Sequence, residues 1–288
     1  EDTQNVKSEF KLSRRIQTFL NGVFVCKDSV IMNSIIDSSS SPFGNSTIGT
    51  SSVVEHCHLE GITLKVGKNC VVSGLRGSCR STIEIPSNMV LQFLPLREGN
   101  EGSKQYVCMY LGISDGIKEH GRCFGVSFND FLNDTALTFD DLWDTDDTKR
   151  YLWSSRIHAV ISLQNDGIFD WEPFEWIQHY VNGGKERLSE PLVKASLEKW
   201  KQMTRLSLSQ IQGMSDASSE IAYRSGIAEE GIDMKLEHII ASIKDVLLGR
   251  RHTELKFDYV LDSVSSKTQK KCTKEFFATL AMFRDVVL

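Results

Sequence analysis

The sequence predicts a β-plus-α protein. It reads as a short parallel β-helix of the hexapeptide kind in 18-residue coils, closed by a small antiparallel cap and followed by an α-helical array. Three observations lead there. Aliphatic residues recur in sixes and eighteens between Gly22 and Gly77. Two runs rich in β-branched and aromatic residues, Lys104–Asp115 and Gly121–Phe128, come after the last repeat. Beyond Phe131, helix caps, helix stops and apolar stripes at helical spacing replace the strand pattern. The expected organisation is a β-helix over 1–97, an antiparallel cap over 98–130 and a mainly helical domain over 131–288.

The repeat comes first. Counting in sixes from Ile48 meets Val54, Val66 and Val72, and misses only at Glu60. Counting in eighteens aligns Val30, Ile48 and Val66, and then Ile36, Val54 and Val72. Small residues sit four places on: Ser34, Ser52 and Cys70. Gly49 and Gly67 directly follow counted positions. Three short strands per coil, each with one inward aliphatic residue, stack a continuous core from coil to coil. Small residues let the chain turn at the corners. The pattern resembles the left-handed β-helix of sugar nucleotidyltransferases and acyltransferases. The serine run Ser38–Pro42 reads as a loop thrown out between rungs.

Two tempting motifs lie inside the repeat. "GTSS" at Gly49–Ser52 has the composition of a phosphate loop, but such a loop must open a helix, and a strand-like "VVEHCHL" follows it. "HCH" at His56–His58 suggests a metal. A structural zinc site needs about four ligands, and the other histidines (120, 158, 179, 238 and 252) are scattered without pairing. His56 and His58 are expected to alternate along one strand.

Further on, Ile83–Leu96 reads as a last rung running into a strand. The acids Asp140, Asp141, Asp144, Asp146 and Asp147 follow Thr138, which reads as a helix N-cap with acids in the first turn. The same carboxylates, Asp140, Asp141 and Asp144 above all, are the chain's candidate divalent-cation ligands. "EPFEWIQHYVNGG" ends in a glycine pair, as helices commonly do. "SEPLVKASLEKWKQM" is expected to start at a Ser189 cap, with Leu192, Ala195, Leu197 and Trp200 on its apolar side. Residues 207–234 read as two short helices with polar breaks. Two further apolar stripes follow, one around Ile239–Leu247 and one around Phe276–Phe283.

Bulk properties exclude several classes. Net charge is −5 with no basic stripe beyond four lysines in Lys267–Lys274, which argues against nucleic acid. No apolar run nears the ~20 residues of a membrane helix, and Glu1–Lys7 is no secretory signal. The seven cysteines (26, 57, 70, 79, 108, 123 and 272) lack any Cys-x-x-Cys pair and read as reduced thiols of a cytoplasmic protein. A start at Glu1 and an apolar end at "FRDVVL" suggest a fragment.

Three stretches resemble the L-fucokinase and GDP-fucose pyrophosphorylase family: "VVEHCHLEGITLKVGKNCVVSGL" (Val53–Leu75), "DDLWD" (Asp140–Asp144) and "YLWSSRIHAVISL" (Tyr151–Leu163). Leu152, Trp153, Arg156 and Ile157 match the family's block after the β-helix. The family more often has Phe-Pro where His158-Ala159 stand. The resemblance covers about residues 15 to 210. It implies a scaffold fragment of a fucose-salvage transferase, with no kinase or nucleotide loop and no catalytic residue in this chain. The long helical region favours the fucokinase branch over fucose-1-phosphate guanylyltransferase. Trp153 and Arg156 are the candidate substrate-binding residues. No cofactor is expected in this chain; the parent protein would use ATP or GTP with Mg²⁺. Expected partners are L-fucose or fucose 1-phosphate and a nucleotide through the parent, and a second copy of the chain through the β-helix. Two other readings stand beside it: a hexapeptide acyltransferase with His56 or His58 as general base, and a non-enzymatic interaction module.

Overall fold

In a computed structural model, the structure describes residues 18–77, 82–97, 104–118, 121–144, 150–163 and 169–247, apart from the side chains of 232 and 235–247. The chain first winds a parallel β-solenoid of about four turns. One face stacks β1 (Phe19–Asn21), β4 (Ile35–Asp37), β7 (His58–Glu60) and β10 (Arg76–Gly77). A second stacks β2 (Val23–Val25), β5 (Ser46–Ile48), β8 (Leu64–Val66) and β11 (Ile83–Ile85). The third stacks β3 (Val30–Met32), β6 (Val53–Glu55), β9 (Val71–Ser73) and β12 (Met89–Pro95). Each strand is too short to bury a core by itself, so stability comes from stacking. Ile31, Val54, Val72 and Leu91 form one inward column, and Ile48 and Val66 belong to another.

The corner after the second face repeats with little change. Its third position is left-handed in every coil: Asp28, Ser51, Asn69 and Asn88 have φ of 63, 57, 55 and 64°. Asn and Asp tolerate that backbone better than most residues. Its fourth position forms a ladder between coils. Ser29 Oγ donates to the Gly49 carbonyl at 2.6 Å and Ser52 Oγ to the Gly67 carbonyl at 2.8 Å. The corner after the third face is equally constant. Asn33, His56 and Gly74 occupy its positive-φ position.

The corner after the first face varies, and it corrects the uniform 18-residue count. First-face register runs Phe19 to Ile35 to His58 to Arg76, so successive coils take 16, 23 and 18 residues. The loop expected at Ser38–Pro42 is present between β4 and β5, and it lengthens the second coil. Val30 therefore stacks on Val53 rather than Ile48, and Ile36 on Leu59 rather than Val54. The pairs Ile48–Val66 and Val54–Val72 hold. His56 and His58 do not alternate on one strand: His56 is a corner residue with φ 54°, and only His58 is in β7.

The third face continues as an antiparallel sheet. β12 pairs with β13 (Gln105–Gly112), β13 with β16 (His158–Ser162), and β16 with β17 (Arg205–Leu206). The block around His158-Ala159 is thus a strand, and the sheet recruits two strands from beyond Phe131. The run Gly121–Phe128 is a two-stranded hairpin, β14 (Arg122–Cys123) and β15 (Val126–Ser127), leading into α1 (Phe128–Thr135).

Aromatics close the end of the solenoid. Phe93 on β12 meets Phe169 edge-on at 5.6 Å, and Trp171 stacks on Phe174 at 5.0 Å. The helices α3 (Glu175–Gly183) and α4 (Pro191–Gln202) bring Trp176 and Trp200 to 5.2 Å. These residues and the solenoid interior form one continuous core. A solenoid needs such a cap because its last coil otherwise exposes an apolar face. In α4 the N-cap is Glu190 rather than Ser189, with Pro191 at the first position. Its buried side is Val193, Ser196, Leu197 and Trp200; Leu192 is 85% exposed and Ala195 faces solvent.

The two short helices expected at 207–234 are α5 (Leu208–Met214) and one long helix, α6 (Ala217–Leu247). The second of the expected stripes, at Phe276–Phe283, lies outside the described residues. α6 lies on the outer surface of the first face, where Ile227 is buried with Phe19 and Ile35.

His158 shapes the acid response of this fold. It is fully buried, neither ring nitrogen has a hydrogen-bond partner, and burial pushes its pKa down to about 3. The unfolded chain takes up that proton near 6.5, so the folded state is disfavoured as pH falls below that value toward 3. Stability should drop by about 2 kcal/mol from this group on going from neutral to about pH 5. His158→Leu should flatten that part of the profile, read from urea midpoints at both pH values.

Candidate functional site

The candidate residues gather where α2 (Phe139–Leu142) meets the segment before β16. Thr138 caps the helix as expected: its N–H and Oγ1 both donate to an Asp141 carboxylate oxygen at 2.7 Å. Those bonds hold the Asp141 carboxyl below the usual carboxylate range. Arg156 closes the other end. Its guanidinium donates to the Asp140 carbonyl at 2.9 Å and the Trp143 carbonyl at 3.1 Å, and pairs with the Asp144 carboxylate. Its backbone N–H donates to the Leu142 carbonyl at 2.7 Å.

The structure therefore ties Arg156 to the Asp140 carbonyl and the Asp144 carboxylate, and the Asp141 carboxylate to Thr138. The chemistry on display is helix capping: an acid at the N-terminus, a cation on the terminal carbonyls. Asp146 and Asp147 lie outside the described residues. Trp153, in the same segment as Arg156, makes other contacts. Its ring carries the Lys118 ammonium at 4.9 Å, and its carbonyl accepts from Ser209 N–H of α5. Arg156→Gln removes the fork that holds three groups, and we expect a loss of about 1–2 kcal/mol in urea denaturation.

Sequence reading missed Arg205. It reaches toward the Asp141 carbonyl at 3.5 Å and lies over the Trp200 ring at 4.7 Å. Burial first, and then the neighbouring Arg156, bring its pKa down. Its strand has only two residues, so no alternation announces it.

Two open clefts are formed by described residues. One, of about 240 Å³, lies between the second face and α3, with Lys65, Gly67, Glu84, Ser87, Gln178 and Asn182 on its walls. Lys65 and Glu84 already pair there at 2.7 Å. Its volume is below the ~300 Å³ at which small-molecule sites begin. The other, of about 450 Å³, is bordered by Glu229, Glu230 and Asp233 of α6, whose charge disfavours a nucleotide phosphate.

Solenoid, antiparallel sheet, aromatic cap and docked helix together define a protein of the parallel β-solenoid class with a helical region after it. Residues 2–163 match the family described as the fucose pyrophosphorylase domain, and the chain belongs to that family. The match spans the described solenoid and ends just past β16; α3 to α6 lie beyond it. Comparison with curated proteins and with solved structures gave no match. No described helix is long and apolar enough to cross a membrane.

Proposed function

We propose that this chain is the scaffold segment of a fucose-salvage transferase of the L-fucokinase branch. The parent protein would transfer the γ-phosphoryl group of ATP to L-fucose, giving fucose 1-phosphate and ADP, ahead of GDP-fucose formation. The observation that carries this reading is the family match, joined to a helical region that continues past it and packs back on the solenoid. Phosphoryl transfer needs a phosphate loop, a Mg²⁺ site and a positioned base. The described residues build the walls and the cap; they would hold the catalytic parts of a longer chain in register. Arg156 and the acids at 140–144 act in this reading as structural members of the scaffold. A cytoplasmic setting and assembly through the solenoid belong to the same proposal.

The test is ADP release from ATP by the full-length protein, with and without L-fucose. Fucose-dependent release supports the kinase reading. Diphosphate release from GTP that depends on fucose 1-phosphate and yields GDP-fucose, without ADP release, would move the chain to the guanylyltransferase branch.

A further inference from the structure

The half-motif "HCH" acquires new neighbours in the fold. His58 and Glu60 are two apart on β7, so both side chains emerge on the outer surface of the first face. α6 crosses that surface. Ile227 is buried against it, and Glu230 follows one helical turn later on the same side. The Glu230 carboxylate lies 3.7 Å from His58 Nδ1, and the Glu60 carboxylate lies 3.2 Å from His58 Nε2. One ligand atom from each of the three residues falls within 4.8 Å of the others.

Glu84, Glu172, Glu190, Glu198 and Glu220 each pair with a lysine or arginine. Among the described residues, Glu60 and Glu230 pair only with His58. The site opens onto a cleft of about 450 Å³ bordered by Gly226, Glu229 and Met234. The site thus offers an imidazole nitrogen, two carboxylates without a lysine or arginine partner among the described residues, and solvent access for an ion and its water.

We propose that His58, Glu60 and Glu230 form a binding site for a borderline divalent cation of the Zn²⁺ class, which clips α6 to the solenoid. Imidazole with carboxylate selects such ions over Ca²⁺ or Mg²⁺, which prefer all-oxygen shells. Three protein ligands leave a position for water. Because the ligands come from both β7 and α6, the ion binds the docked helix and not the undocked one. It therefore stabilises that docking by mass action. This inference stands apart from the fucose-salvage reading.

The experiment is calorimetric titration of the 288-residue chain with Zn²⁺ alone, alongside thermal denaturation with and without the ion. The expected result is one Zn²⁺ per chain and a higher Tm. Glu230→Gln and His58→Asn should each weaken binding at least about tenfold and abolish the Tm rise. Glu172→Gln, a remote exposed acid, should change neither. Co²⁺ in place of Zn²⁺ should give no thiolate charge-transfer band. Absence of stoichiometric uptake overturns the proposal, as does uptake undiminished in both variants. A thiolate band on Co²⁺ loading would overturn it too, by placing the ion on cysteine.

Discussion

Gly67→Ala should destabilise the solenoid by about 3 kcal/mol, a large loss for a single methyl group. The reason is the approach of successive coils at one corner. A Cβ on Gly67 would lie 2.5 Å from the Ser87 nitrogen and 2.8 Å from the Pro86 carbonyl carbon, both backbone atoms. Gly49 has the same relation to the coil above it, with Gly67 O at 2.5 Å. Side chains can swing away from such a contact; stacked backbones cannot. Their spacing is set by the hydrogen bonds Gly49 N–H to Val66 O and Gly67 N–H to Ile85 O, both 2.8 Å. The new methyl would have to prise two coils apart along the inward column that both share. Gly213→Ala is the matched control. Nothing lies within 4 Å of its Cβ and it sits in α5, so alanine there should add up to about 1 kcal/mol. Urea midpoints of the two variants read the contrast. A Gly67→Ala protein within about 0.5 kcal/mol of wild type would contradict the stacked-corner account.

That corner also marks how far the fold was legible in sequence. Gly49, Gly67, Ser52 and Cys70 announce it because the chain length between the second and third faces hardly changes. The eighteen-residue pairs Ile48–Val66 and Val54–Val72 follow directly. Val30 and Ile36 were assigned to the wrong partners because the Ser38–Asn45 insertion stretches one coil to 23 residues. A periodicity count has no means of seeing an insertion that leaves the stacked faces intact. β16 was hidden for a different reason. His158, Ala159 and Ile161 are all buried, so the strand shows no polar alternation to separate it from its helical surroundings. Over 207–234 the sequence reads as two short helices with polar breaks. The second of them runs on as the 31-residue α6, where packing of Ile227 on the first face outweighs local propensity.

The candidate site divides along the same line. Thr138 and Asp141 are three apart, and their capping box could be read from spacing alone. Arg156 stands in the block by sequence alone, while its engagement with the Asp140 and Trp143 carbonyls needed the fold. The His58–Glu230 contact was beyond sequence reasoning altogether. It depends on a helix 31 residues long whose phase is set by a face assembled from four coils.

A buried ion pair through Arg76 also links α6 to the first face, and Arg76→Met should cost about 3 kcal/mol. Its guanidinium donates to Glu220 Oε2 at 2.6 Å, between side chains only 7% and 10% exposed. It also donates to the Gly74 carbonyl at 2.9 Å, and lies over the Tyr223 ring at 3.4 Å and the Tyr106 ring at 5.0 Å. The partners are 144 residues apart, so the pair joins the last described first-face strand to the start of α6. Removing the arginine leaves the Glu220 carboxylate buried, with only Arg224 at 2.8 Å still bonded to it. A buried ion pair gains little net energy from its own attraction; the loss on breaking it comes from the charge left behind. Removing both ends should therefore be milder. Arg76→Met with Glu220→Leu is expected to be more stable than the sum of the two single changes predicts, by at least about 1 kcal/mol. Hydrogen exchange along α6 gives the structural readout. The single variant should lose protection there while the third-face strands keep theirs. Additive energies, or uniform loss of protection across solenoid and helix, would mean that Arg76 serves the solenoid itself rather than the seating of α6 upon it.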